Sequence, residues 1–306
     1  MKRIRNLVLC LLCGLARPAA AAQPPQPAGA ARDSLLRAEV AAPDFLRASL
    51  VVVAPGREVY SAYGHSALRL ECPSRGLDFC FTFEMDLSLS SRLDFVLRRA
   101  RAGFAPAPTP LFLQQYRAEQ RTVQVHPLNL SPLQEQELWR VLDREVKRGP
   151  AWRYDYPGVN CASMVAHALR QALGSDRLVY GPLPAGVGGT YRQVLRHISV
   201  GSPWARLFWE VALIGRGSRQ GRPEETMTPA FLAQAWSQAQ LVDSLGRRRP
   251  LFSGPVQTLY QAPLAGCGTW FTPWMALLLL LLLGSAAWGL YAKRKRTLLS
   301  YQSKHQ

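Results

Sequence analysis

An uncharged run of 23 residues at 270–292 constrains this chain more than any other feature of its sequence. It reads WFTPWMALLLLLLLGSAAWGLYA and has tryptophan or tyrosine near both ends. A helix needs about 20 apolar residues to cross a bilayer, and aromatic residues favour the two interfaces. The basic sequence KRKR follows at 293–296, and such flanks are retained in the cytoplasm. We therefore predict a transmembrane helix over 270–292 and a basic cytoplasmic tail over 293–306.

The first 22 residues have the layout of a secretory signal peptide. Basic residues precede a short apolar run at 7–15, and the segment ends in small residues at 20–22. The apolar run is too short to cross a bilayer. The sequence therefore predicts cleavage after Ala22 and export of the chain that follows. Residues 23–44, rich in alanine and proline, are expected to form a flexible leader.

Together the two ends predict a single-pass protein of the bacterial cytoplasmic (inner) membrane. The region between them, residues 45–265, would lie in the periplasm. It is long enough to form one domain with its own hydrophobic core.

The charge of the chain gives no reason to expect nucleic-acid binding. Of the formal charge of +17, four positive charges lie in the signal segment and five in the tail, which leaves +8 on the exported region. That region has no run of lysine and arginine with interleaved aromatic residues. A moderately basic domain suits anionic phospholipid head groups, although an ordinary solvated surface accounts for the charge as well. The expected partner is a membrane, with no nucleic acid.

Strand patterns come first in the exported region. The β-branched run LVVV at 50–53 ends before Pro55 and Gly56, and segments of alternating polarity follow it. These further segments are 67–70, 79–83 and 122–125.

Helix signals come later in the chain. Ser131 and Thr228 are both good N-cap residues followed by proline, and each precedes a stretch with helical spacing of apolar residues. Another helix is expected from Cys161. Because strands come first and helices later without regular alternation, the sequence predicts an α+β fold.

The segment YDYPGVNCAS at 154–163 places a cysteine at the start of a helix. Pro157 and Gly158 predict a turn, and Asn160 is a good N-cap residue. The helix dipole and the unpaired N–H groups at Cys161 lower the pKa of a thiol and can stabilise an oxyanion. The chemical interpretation is a nucleophilic cysteine, and the structural one is a small buried apolar residue.

The segment YSAYGHSALR at 60–69 places His65 on a predicted strand, between Gly64 and Ser66. A histidine held between small residues can approach a substrate and serve as the general base for Cys161. A structural or solvent-exposed histidine is the alternative interpretation. The exported region contains no GxSxG, HExxH or CxxC motif. The two residues together favour a Cys–His enzyme that requires neither a metal nor a cofactor.

Cys72 and Cys80 flank the short segment PSRGLDF, which reads as a hairpin loop. In an oxidising compartment such a close pair commonly forms a disulfide. A disulfide between them and two free thiols are both consistent with the sequence.

Three segments resemble, in order, the N-terminal periplasmic domain of the Lnb-type lipoprotein N-acyltransferases. They are REVYSAYGHSALRL at 57–70, PLNLSPLQEQELWRVL at 127–142 and WRYDYPGVNCASM at 152–164. That family is similar to circularly permuted papain-like (NlpC-type) hydrolases and to lecithin:retinol acyltransferases. In those proteins the strand that bears the histidine precedes the helix that bears the cysteine. The resemblance implies a permuted papain-like domain with an antiparallel sheet and packed helices.

The resemblance also implies roles for the matching residues. Cys161 would be the nucleophile and His65 the general base. The residues implied to support the site or contact the substrate are Asn160, Tyr154, Asp155, Gly64, Ser66 and Tyr63. The run TFEMD at 82–86 departs from the family pattern, which leaves three candidates to orient the histidine. These are Thr82, Glu84 and Asp86.

The function implied by the resemblance is acyl transfer through a thioester. An acyl chain would pass from a phospholipid to Cys161 and then to the N-terminal amine of a lipoprotein. One alternative is a Cys–His hydrolase that uses water, either a phospholipase or a cell-wall peptide amidase. Another is an anchored binding domain without catalysis, because a fold alone does not carry function.

Overall fold

The computed structural model describes residues 46–56, 61, 63–90, 94, 97, 99–155, 158–182, 190–198, 203–212, 228–263 and 272–303. All of them belong to one unit of the chain, Pro43–Gln306. The predicted signal peptide over 1–22 and the leader over 23–44 lie outside the described residues.

The described part of the chain is organised around a seven-stranded antiparallel sheet with the strand order β10-β5-β1-β2-β3-β4-β6. Its strands are β1 (Arg47–Val53), β2 (His65–Cys72), β3 (Leu77–Met85), β4 (Arg101–Pro108), β5 (Val123–Pro127), β6 (Trp152–Arg153) and β10 (Gln257–Tyr260). A smaller sheet has the order β7-β8-β9, formed by Arg177–Val179, Gln240–Val242 and Arg248–Pro250.

Helices connect and cover these strands. They are α1 (Thr109–Ala118), α2 (Pro132–Arg148), α3 (Cys161–Ala172), α4 (Tyr191–Ile198), α5 (Pro203–Ala212), α6 (Pro229–Ser237) and α7 (Pro273–Ser303). The α+β class predicted from the sequence is therefore confirmed.

The two faces of the large sheet have separate hydrophobic cores. On one face, Leu68 of β2 and Phe83 of β3 pack with apolar residues of α2, α3 and α6. On the other face, Val53 and Ala67 pack with Phe112 and other residues of α1. Because side chains alternate along a strand, successive residues of β2 point toward different helices. This alternation decides what each residue of the candidate site can touch.

Capping residues begin the helices where the sequence predicted. The Ser131 hydroxyl accepts the N–H of Gln134 at 3.3 Å, and the Gln134 side chain accepts the N–H of Ser131 at 3.0 Å. This reciprocal pair is a capping box. Thr228 caps α6 with a single hydrogen bond, in which its hydroxyl accepts the N–H of Phe231 at 3.2 Å. Both predictions are confirmed.

The β4–α1 unit has no counterpart among the sequence predictions. Its strand, RAGFAPAP, contains two prolines, a residue that central strands avoid. In the structure β4 pairs with β3 from Ala102 to Pro108, but with β6 only at Arg101 and Ala102. Pro106 and Pro108 therefore lie where one edge of the strand has no described strand partner. Tertiary pairing makes a strand of a segment whose composition argues against one.

Cys72 and Cys80 remain separate buried thiols, so the possible disulfide between them is not formed. Cys72 lies opposite Leu77, whereas Cys80 lies opposite Arg69, three positions along β2 from Cys72. Three strand residues span about 10 Å, and an odd separation places the two side chains on opposite faces of the sheet. Disulfides require Cα atoms within about 7 Å. The hairpin was predicted correctly, but its pleat keeps the thiols apart.

Two other predictions are not confirmed. In the part of the chain that the structure describes, no helix has both the length and the apolarity needed to span a membrane. The transmembrane helix over 270–292 is thus not confirmed. The topology by itself also does not establish the circularly permuted papain-like relationship.

We expect Cys72 and Cys80 to be reduced in the protein purified without reductant. Denaturation in iodoacetamide followed by peptide mass spectrometry should find both peptides alkylated, because the sheet separates the two sulfur atoms. A linked peptide pair resistant to alkylation would contradict the strand register.

Candidate active site

Cys161 is the first residue of α3, as the sequence predicted. Asn160 is fully buried, and its side-chain oxygen accepts the N–H of Ser163 at 3.0 Å. The Ser163 hydroxyl in turn accepts the N–H of Asn160 at 2.9 Å, which completes a capping box. The cap satisfies orphan N–H groups and fixes the point at which the helix begins. It therefore fixes the backbone of Cys161.

A tight turn leads the chain into this helix. The N–H of Asp155 donates to the carbonyl of Val159 at 3.0 Å, and the reverse hydrogen bond closes the turn. Asp155, which the resemblance placed among the substrate-site residues, thus has a backbone role in shaping the approach to Cys161. Tyr154, just before it, stacks on Phe83 with ring centroids 6.3 Å apart.

The Cys161 thiol is surrounded by hydrogen-bond donors but removed from water. Only 7 % of its surface is exposed, and burial raises the pKa of the thiol. The N–H and hydroxyl of Ser66, with the N–H groups of Ala162 and Cys161, lower that pKa and partly offset the burial. The N–H groups at the helix start lower the pKa of the thiol, as predicted, but burial raises it by more. The resting group is a neutral thiol.

His65 begins β2 and is held by two neighbours. Its Nε2 is hydrogen-bonded to the Thr82 hydroxyl, and its ring stacks on Tyr116 of α1 with centroids 6.3 Å apart. The pKa of His65 is lowered from 6.5 to about 4, first by burial and then by the positive charge of Arg121, against a smaller opposite effect of Glu119. The imidazole is therefore neutral at pH 7 and able to accept a proton.

Gly64 is required by the backbone just before His65. Its φ is +89°, a conformation that residues with a Cβ rarely adopt. A Cβ there would also collide with the carbonyl oxygen of Val53. The sequence suggested that glycine leaves room for a substrate, whereas the structure shows that the turn into β2 needs it.

His65 and the residue that faces Cys161 point to opposite faces of strand β2. His65 contacts Thr82 and Tyr116 on the face covered by α1, whereas Ser66 faces Cys161 on the face covered by α3. Among the described contacts no hydrogen bond joins the two predicted catalytic side chains directly. The described part of the structure thus places Cys161 against Ser66, the neighbour of His65, without a direct contact for proton transfer between Cys161 and His65.

A cavity of about 260 Å³ opens beside His65. Tyr154 and Phe83 line it together with Leu87, whose side chain is 64 % exposed. Its polar lining comes from Ser61, Glu84, Gln115, Glu119 and Arg121. Cys161 is not among the described residues that line it. Its walls thus combine apolar groups with charged ones.

Of the three candidates to orient His65, only Thr82 contacts it among the described interactions. Asp86 instead accepts the N–H of Ser88 at 2.8 Å and its hydroxyl at 2.5 Å. Glu84 lines the cavity, where loss of water around its carboxyl and the charge of Asp86 raise its pKa, although the residue as a whole is exposed. Tyr63 is buried just ahead of Gly64.

Sequence reasoning missed three residues around His65, namely Tyr116, Glu119 and Arg121. Arg121 donates from Nε to the carbonyl of Ala54 at 2.8 Å and pairs with Glu119 at 2.7 Å. It also lies over the Tyr116 ring, 4.9 Å from its centroid. No motif marks these residues, because they reach the site only when α1 packs on the sheet.

We expect Gly64→Ala to destabilise the protein by about 2 kcal/mol or more, since strain and a backbone collision coincide. Gly76→Ala is the matched control, because Gly76 also has a positive φ but its Cβ would meet no atom within 4 Å. Urea unfolding of both variants measures the difference. Equal losses would argue against the close approach of Val53.

We expect the alkylation rate of Cys161 to rise with pH through a midpoint above about 8.5, the value of an unperturbed thiol. Burial raises the pKa of the thiol, so the thiolate is scarce at neutral pH. Peptide-resolved mass spectrometry after iodoacetamide pulses gives the rate. A rate independent of pH between 5 and 8 would instead indicate a preformed thiolate–imidazolium pair.

Comparison with known proteins agrees with the residues described above. The sequence matches the family described as the Lnb N-terminal periplasmic domain over residues 37–197, just over half of the chain. No curated protein and no solved structure gives a significant match. The matched region contains β1 to β6 and α1 to α3, and with them both His65 and Cys161. This chain belongs to the Lnb N-terminal periplasmic domain family.

Proposed function

We propose that this protein is a membrane-anchored lipoprotein N-acyltransferase that carries an acyl chain on Cys161. The observation that carries the proposal is the position of Cys161. It begins a capped helix, and its sulfur faces the strand that bears a neutral histidine. Family membership supports the same reaction class.

In the first step, the Cys161 sulfur attacks the ester carbonyl of a phospholipid. His65 accepts the thiol proton as the C–S bond forms. When the ester C–O bond breaks, the leaving lysophospholipid oxygen takes that proton from His65. The products are a thioester on Cys161 and a lysophospholipid.

In the second step, the N-terminal amine of a lipoprotein attacks the thioester carbonyl. His65 removes a proton from the amine, the C–S bond breaks, and the proton returns to the sulfur. The amide product and the free thiol balance the cycle. No redox partner is required.

The pKa directions suit a general base better than a preformed ion pair. Burial raises the pKa of Cys161 and lowers that of His65, so both groups are neutral before substrate binds. The proton then moves only as the nucleophile attacks. Thr82 bonds to Nε2, which leaves Nδ1 as the nitrogen for this transfer.

The missing hydrogen bond between His65 and Cys161 is compatible with this role. Catalytic contacts are commonly long without substrate and shorten when it binds. Cys161 also acts electrostatically on Tyr116, the residue that stacks on His65, so both proposed catalytic groups lie near the same aromatic ring.

The proposal includes periplasmic placement and a membrane anchor. The family is described as a periplasmic domain, and the uncharged run at 270–292 followed by KRKR supports an anchor. Exposed Leu87 at the cavity supports an approach by lipid chains. Both substrates would then come from the bilayer that holds the enzyme.

A hydrolase on the same site is the second candidate. Glu84, Glu119 and Arg121 give the cavity a polar side, which an apolar acyl chain does not need. A peptide or a hydrated ester would fit such walls. In this case water rather than an amine would resolve the acyl-enzyme.

We expect detergent-purified protein incubated with phospholipid to gain the mass of one fatty acyl chain. Intact mass spectrometry should locate the gain in wild type, and hydroxylamine should remove it because thioesters are labile to that reagent. Cys161→Ala abolishes the adduct, and His65→Ala should reduce it by at least about 100-fold, as expected for a general base.

Cys80→Ala and His126→Ala are matched controls, since Cys80 is a buried sheet cysteine and His126 lies on β5, two strands from His65 in the same sheet. Both should acylate normally. Free fatty acid without an adduct would favour the hydrolase. No adduct and no release, with lipid shown to bind, would favour a binding domain.

A further inference from the structure

Ser66 is a fully buried polar residue with no ordinary hydrogen bond at its side chain. It is 0 % exposed, and its Oγ has no partner of normal geometry in the described part of the chain. An unsatisfied buried hydroxyl costs about 1–3 kcal/mol. On β2 the residue lies opposite Val52, and alanine or valine would fit the apolar surroundings better. The hydroxyl therefore calls for an explanation.

The group that this hydroxyl faces is the Cys161 sulfur. Strand alternation turns Ser66 away from His65 and toward the face covered by α3, where Leu68 and Leu70 pack. Its main-chain N–H and its hydroxyl both act on the thiol. The hydroxyl nevertheless makes no contact of normal hydrogen-bond geometry within the described part of the chain. A neutral thiol is a weak hydrogen-bond partner.

The contact would change when the sulfur loses its proton. A thiolate is a charged acceptor, and charge-assisted hydrogen bonds are shorter and roughly twice as strong as neutral ones. The other groups that donate to the buried sulfur are the N–H groups of Ala162 and Cys161 at the helix start. Ser66 adds a donor from the opposite direction. The sulfur would thus be held between helix and strand.

We propose that Ser66 is a positioning residue whose hydroxyl holds the thiolate of Cys161 during catalysis. The inference rests on the proposed role of Cys161 as the nucleophile and adds a partner for its charged form. Ser66 forms no covalent bond in the reaction and gives up no proton. It tightens onto the sulfur as His65 takes the thiol proton, and it loosens again when the thioester forms.

Placing this donor beside the base has a mechanistic advantage. His65 and Ser66 are consecutive, and the alternating strand directs one toward Thr82 and the other toward Cys161. A single backbone segment therefore fixes both the group that receives the proton and the group that stabilises the charge left behind. Movement of the start of β2 would carry both together.

The experiment compares Ser66→Ala with wild type in two ways. The pH midpoint of Cys161 alkylation should rise by about one unit, because one hydrogen bond to a charged group is lost. The rate of acyl-adduct formation at pH 7 should fall roughly tenfold. The free energy of unfolding should stay the same or increase, since an unsatisfied buried hydroxyl is removed.

Ser49→Ala is the matched control, because Ser49 is also a buried serine of this sheet, on β1 opposite Arg69. It should leave the alkylation midpoint unchanged. Ser66→Thr keeps a hydroxyl and should restore the midpoint even if the added methyl group lowers stability. The pH midpoint is the decisive quantity. Altered packing around residue 66 changes reagent access equally at every pH, which scales the alkylation rate but does not move its midpoint.

An unchanged midpoint in Ser66→Ala would overturn the inference, even with slower acylation, because the residue would then act only through packing. A large loss of stability in Ser66→Ala would also overturn it. If the midpoint shifts but wild type forms no acyl adduct, the contact stands and the proposed acyl transfer fails. The two failures are therefore distinguishable.

Discussion

The packing of the first turn of α3 against the start of β2 is the contact on which the candidate site depends. The Asn160–Ser163 capping box fixes where the helix begins, and the strand supplies Ser66 to face the first helical residue. Burial at this junction removes the Cys161 thiol from water and raises its pKa. The same exclusion of water strengthens every hydrogen bond that the sulfur can form. The Cys161 thiol is thus a weak nucleophile until another group accepts its proton.

His65, the proposed proton acceptor, is held by residues on the opposite face of the sheet. Tyr116 of α1 stacks on His65, Thr82 bonds to its Nε2, and burial beside Arg121 keeps the ring neutral. Two independent cores, one formed with α3 and one with α1, therefore adjust the two groups separately. The start of β2 is the point where their effects can be joined, because it bears both His65 and Ser66. Such a division permits the thiol and the imidazole to stay neutral until a substrate requires both.

The cavity beside His65 is chemically mixed, which bears on the choice between acyl transfer and hydrolysis. Phe83, Met85 and Leu87 offer apolar surface, whereas Glu84, Glu119 and Arg121 are charged. A phospholipid has both characters, with an apolar chain and a polar head group near the ester. A lipid ester is therefore at least as well matched to these walls as a peptide, and family membership adds weight to it.

The sequence by itself determined the α+β class, the caps at Ser131, Asn160 and Thr228, and the start of a helix at Cys161, because these depend on local propensity and spacing. It also identified the family through short segments around His65 and Cys161. Only the tertiary structure decided which face of the sheet each side chain occupies, and so it separated Cys72 from Cys80 and Ser66 from His65. It alone brought Tyr116 and Arg121 to the histidine, and it reversed the expected direction of the thiol pKa. The physical reason is that burial, strand pleat and long-range packing are set by the whole fold, whereas caps and turns are set by neighbours in the chain.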